Sequence, residues 1–65
     1  MQETTVGKRL RTLRGKRTKR EVAEAIGVSE SSYVKYERDE RRPNDATKVK
    51  LAKFFGKSVE SIFFN

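Results

Sequence analysis

Glycines and helix-capping side chains alternate along this chain at intervals that leave room only for short helices. Gly15, Gly27 and Gly56 each close a periodic stretch, as glycines just past a helix C-terminus do. Thr18, Ser29, Asn44 and Ser58 each open one, as N-caps do. β-branched residues are scattered and never alternate over a strand length, so no sheet is predicted. The expectation is an all-α, compact bundle of five short helices.

Apolar spacing fills in the segments. A first helix is predicted from about Thr5 to Arg14, with Val6, Leu10 and Leu13 on one stripe. Thr18-Lys19-Arg20-Glu21 has the spacing of a capping box and opens a second helix, whose apolar face is Val22, Ala23 and Ile26. A third begins at Ser29, with Val28 and Tyr33 spaced as a hydrophobic staple and Tyr33 and Tyr36 on the core side. Arg38 to Arg42 is a charged loop ending at Pro43. Asn44 caps a fourth helix reaching Phe55, with Leu51, Ala52 and Phe55 buried. Ser58 caps a short fifth, with Val59, Ile62 and Phe63.

Sixty-five residues support one domain, read as 1–65. The chain has no Cys and no His, which removes disulfides, a thiolate or imidazole metal site and the usual general base. No carboxylate pair clusters either, so neither an enzyme nor a cofactor or metal site is expected. No apolar run approaches the roughly 20 residues of a membrane span, and no signal-peptide core is seen at the N-terminus. An intracellular location is the default expectation. Nothing suggests a small-molecule ligand.

The net charge of +7 is unevenly spread. Every ionisable residue from Lys8 to Arg20 is basic. Such a surface attracts polyanions without saying which kind. Lys8, Arg9 and Arg11 are expected to be solvated, and Lys16 and Arg17 to lie nearer a phosphate backbone.

The second and third helices meet across Gly27-Val28-Ser29, the spacing of a helix-turn-helix. Close packing of two such helices needs a small residue one turn before the turn, and Ala23 supplies it. Val22, Ile26, Val28, Tyr33 and Tyr36 fall where the pair must share a core with the first helix.

The stretch T-K-R-E-V-A-E-A-I-G-V-S-E-S-S-Y-V-K-Y-E-R (Thr18 to Arg38) resembles the phage-repressor-like (Cro/C1, XRE) helix-turn-helix family. R-R-P at Arg41 to Pro43 and L-A-K-F-F-G at Leu51 to Gly56 extend the likeness, which runs from Val6 to Phe63. The resemblance implies a transcriptional repressor that binds double-stranded DNA sequence-specifically, commonly as a symmetric dimer on a palindromic operator. It implies that the third helix enters the major groove. The positions matching the family's base contacts hold Glu30, Ser31, Ser32 and Lys35. Lys35 suits guanine O6 and N7, and Glu30 suits cytosine N4. The matching phosphate contacts are Thr18, Lys19, Arg38 and Arg41. A structural ion pair is implied between Arg14 and Glu37, and Tyr33 and Tyr36 are read as core and not as base-stacking rings.

The chain departs from the family's pattern in four places. Lys19 stands where Gln is usual, Asp39 where Gly ends the third helix, and Lys57 where an apolar residue is common. The connection between the first two helices is shorter than the commonest form. These departures bear on loop geometry and local packing.

Phe54, Phe55, Phe63 and Phe64 are too many rings for one small core. An exposed aromatic cluster marks a contact, so Phe54, Phe63 and Phe64 are read as a homodimer interface. The alternative reading makes this end the main surface of an antitoxin or antirepressor-like interaction module with secondary DNA contact. An RNA-binding domain is disfavoured, because no exposed aromatic platform accompanies the paired helices.

Overall fold

The computed structural model describes residues 5–64. Five helices follow one another: α1 (Val6–Arg14), α2 (Lys19–Ile26), α3 (Glu30–Glu37), α4 (Asp45–Phe55) and α5 (Val59–Phe63). No strand occurs among the described residues. The predicted all-α bundle of five short helices is the observed one, and the boundaries fall where the caps put them.

Each start is chemically satisfied. Thr5, Thr18, Ser29, Asn44 and Ser58 each accept a hydrogen bond from the backbone N–H three residues on. At Thr18 the capping box is complete: the Glu21 N–H donates to Thr18 Oγ1 at 3.0 Å, and the Thr18 N–H donates to Glu21 Oε1 at 2.8 Å. These bonds hold the Glu21 carboxyl below its ordinary range, the backbone N–H of Thr18 contributing most.

Between α2 and α3 the turn is Gly27-Val28-Ser29. Gly27 takes the left-handed conformation (φ 75°), which lets the Val28 N–H reach back to the Ala23 carbonyl at 3.0 Å. The chain thereby reverses within three residues, and Val28 packs half-buried on the core.

All five helices contribute to that core. Leu10 comes from α1; Val22, Ala23 and Ile26 from α2; Tyr33 and Tyr36 from α3; Leu51 and Ala52 from α4; Ile62 from α5. The two tyrosine rings meet edge to face with centroids 6.4 Å apart. Val6, Leu13, Phe55, Val59 and Phe63, expected in the core, pack against it half-buried.

A second junction was not foreseen. α3 ends on Asp39, which holds the left-handed conformation (φ 59°) that glycine more often fills. The Glu40 N–H donates to the Lys35 carbonyl at 2.9 Å and the Asp39 N–H to the Tyr36 carbonyl at 3.2 Å, closing a Schellman end. Asp39 costs more than glycine in this conformation, but its carboxylate does something glycine cannot. Asp39 Oδ1 accepts the Gly7 N–H of the first turn of α1 at 2.9 Å. That turn has no acidic residue of its own, so Asp39 supplies the negative charge a helix N-terminus favours. Gly7 is the complement. A Cβ there would collide with the Glu37 carbonyl.

Candidate nucleic-acid interface

α3 has two faces with different tasks. At about 100° per residue, Tyr33, Tyr36 and Glu37 share one side. That side is buried. Glu37 takes the guanidinium of Arg14 in a two-pronged bond, Nε to Oε2 at 2.7 Å and Nη2 to Oε1 at 3.3 Å. Arg14 also donates to the Arg17 carbonyl at 2.8 Å. The pair joins α1 to α3 as the resemblance implied. The bond to Glu37 raises the pKa of Arg14. Tyr33 Oη is buried beside the pair without a well-formed hydrogen bond. Burial first, and the Glu37 carboxylate second, push its pKa up.

The opposite side of α3 is centred on Ser31, with Lys35 and Arg38 one and two turns further along. These three line a shallow groove together with Glu30, Val34 and Glu40. Three of the four expected base-contact residues, Glu30, Ser31 and Lys35, therefore stand together around one open surface. Arg38 stands with them and pairs with Glu40 at 3.2 Å, both side chains largely exposed.

Ser32 does not join the group. It sits at the margin of the face, where Ser29 Oγ donates to Ser32 Oγ at 3.0 Å and Arg41 Nη1 donates to it at 3.2 Å. Two expected residues, one for bases and one for phosphate, are thus linked to each other. The chain Ser29–Ser32–Arg41 folds the loop back onto the first turn of α3. Thr18 and Lys19 lie apart from the groove, at the start of α2, where the backbone N–H of Thr18 is committed to the capping box.

The basic stretch of α1 is less uniform than its sequence. Arg9 is not simply solvated, because its Nη1 donates to the Ile62 carbonyl at 2.9 Å and ties α1 to α5. Arg17, expected near phosphate, lies with its guanidinium 5.2 Å from the centroid of the Phe54 ring. Lys8 and Arg11 are exposed.

A profile described as helix-turn-helix matches residues 8–62. The chain belongs to the phage-repressor-like (Cro/C1, XRE) helix-turn-helix family. It is a DNA-binding transcriptional regulator of that type. No curated protein and no solved structure shows a significant match to it. Helix-turn-helix proteins place the second helix of the motif in the major groove; in this chain the second helix of the motif is α3, whose outward side carries the groove lined by Ser31, Val34 and Lys35.

The aromatic residues separate into two places on this helix-turn-helix bundle. Phe54 meets Phe55 edge to face at 5.1 Å and lies under Arg17, near the end of α4. Phe63 and Phe64 lie under Lys48 of the first turns of α4, with ring centroids 5.7 and 5.1 Å from its Nζ. Arg41, Arg42 and Pro43 form the other wall of a cleft at that end, and Phe64 is 67% exposed.

Proposed function

We propose that this regulator is a repressor that reads a palindromic operator as a homodimer, with α3 of each copy in a major groove. One observation carries the reading. α3 turns its tyrosines and Glu37 inward and leaves Ser31, Lys35 and Arg38 together on the open side. Ser31 and Lys35 read base edges, with Glu30 accepting from a cytosine amine beside them. Thr18 and Lys19 at the start of α2, with Arg38 and Arg41 beyond α3, hold the backbone. Ser32 serves the site by holding Arg41 in place.

The exposed ring of Phe64, with Phe63 beside it, supports a protein contact where α5 meets the start of α4; Phe54 stands apart from that contact, half-buried against the core beneath Arg17. A second copy of the chain is the occupant that suits a palindrome. The cationic rim of Lys48, Arg41 and Arg42 around the same rings favours a second reading, in which an acidic partner of the antitoxin or antirepressor kind docks there.

Selection of binding sites from random double-stranded DNA tests the main reading. Enrichment of a palindrome with half-sites about 10 bp apart supports both the recognition helix and the dimer. Enrichment of a single half-site removes the dimer, and enrichment of no sequence removes specific recognition. Co-purification of a second, acidic chain would move the Phe63–Phe64 end to the alternative reading.

A further inference from the structure

Among the described residues, the half-buried apolar side chains pack against the core with one exception, Val34 of α3. Val34 lines the outward groove instead, with Ser31 and Arg38 one turn away on either side and Lys35 adjoining it. A branched aliphatic group therefore stands within a row of donors: a hydroxyl, an ammonium and a guanidinium. A face meant only to attract phosphate has no use for it, and the core does not take it up.

The arrangement matches one base edge in particular. In the major groove thymine alone of the four standard bases presents a methyl group, and it presents it next to the O4 acceptor. The geometry points to Val34 as a specificity-determining residue that packs against the C5-methyl of a thymine, while the Lys35 ammonium donates to the neighbouring O4. Val34 thus selects T·A over C·G at one position of each half-site, because cytosine offers a donor and no methyl there. This assignment rests on the reading of α3 as the helix that meets bases.

The test uses the full chain and the operator obtained by selection from random DNA. Each thymine of a half-site is replaced in turn by deoxyuridine, which removes the methyl and keeps both pairing and O4. At one position the wild type loses about fourfold in affinity, the worth of one buried methyl group. Val34→Ala loses a similar factor on the thymine operator and shows no further loss on the deoxyuridine operator, so the two changes are not additive. Val34 lies outside the core, and an unchanged melting transition confirms that Val34→Ala folds. Should it not, Val34→Gln, which suits a solvent-facing helix position and removes the branched methyls, replaces it and is expected to lose the discrimination between thymine and deoxyuridine. A half-site with no methyl-sensitive thymine, or one whose sensitivity survives in Val34→Ala, overturns the role of Val34 and leaves recognition by α3 standing. Failure to enrich any sequence overturns both.

Discussion

Two Arg–Glu pairs meet at the end of α3, from neighbouring residues, and they behave as opposites. Glu37 faces inward to Arg14 at 2.7 Å, with side chains only 4% and 16% exposed. Arg38 faces outward to Glu40 at 3.2 Å, with side chains 66% and 47% exposed. The inner pair is two-pronged and shielded, so neither partner can exchange the other for water without a large cost. The outer pair trades its partner for water or phosphate at little cost. One residue step along the helix thus separates a fixed joint from an available charge. Adding up the net charge treats Arg14 and Arg38 alike, although only Arg38 of the two presents its charge to solvent.

The largest effect is expected on the inner side. Glu37→Ala strands the Arg14 guanidinium beside the buried Tyr33 hydroxyl and costs about 3 kcal/mol. In a domain this small such a loss removes much of the stability. Thermal denaturation of Glu37→Ala and Glu40→Ala side by side measures the contrast. Equal shifts in melting temperature would abolish it.

The joint has a second half in Gly7 and Asp39. Gly7→Ala gains helix propensity of about 1 kcal/mol but drives a methyl into the Glu37 carbonyl, at a cost of up to about 3 kcal/mol. The expected net loss is about 2 kcal/mol, read from urea unfolding. A more stable Gly7→Ala protein would show that α1 can slide away from α3 and that the joint is held by Arg14 alone.

Next in size comes the clamp at the start of α2. Thr18→Ala removes the acceptor for the Glu21 N–H and costs about 1 kcal/mol. The partner Glu21 adds a pH dependence. Its pKa is lowered on folding, so the carboxylate stabilises the folded state above the ordinary glutamate range. That contribution disappears as the pH falls through and below that range. Melting temperature against pH should therefore fall on the acid side, and Glu21→Gln should flatten that part of the fall.

How far the sequence foretells these features depends on the distance over which each is decided. Caps and the Gly27 turn are settled within three to five residues, and they were legible at Thr18, Ser29, Asn44 and Ser58. The Arg14–Glu37 joint was legible through the family's pattern at matching positions. The bond from the Gly7 N–H to Asp39 crosses 32 positions, and nothing near Gly7 marks it. Asp39 registered only as a departure from glycine, since its carboxylate finds a use only once α1 has docked. Side-chain partners were hidden for the same reason. Charge pattern cannot show that Arg9 meets a carbonyl of α5, that Arg17 covers a ring, or that Ser32 is engaged by Arg41. Val34 falls by helical periodicity on the same side as Ser31 and Lys35, but its branched side chain acquires a meaning only from the groove that its neighbours form around it.

The smallest effect in stability is also the sharpest probe of the outer pair. Glu40→Gln should leave the melting temperature almost unchanged, because exposed pairs contribute less than about 1 kcal/mol. Its effect should appear on DNA. If Arg38 reaches a phosphate as proposed, it must leave Glu40, and the carboxylate then competes with the backbone on operator and random DNA alike. Glu40→Gln is expected to raise affinity for random DNA roughly threefold at low salt, and the gain should fade as salt screens the charges. Repeating the measurement with Arg38→Ala present separates competition from general repulsion. If Glu40 acts by holding Arg38, the gain vanishes when Arg38 is gone. If it persists, Glu40 simply repels the phosphates, and Arg38 never needed to be released.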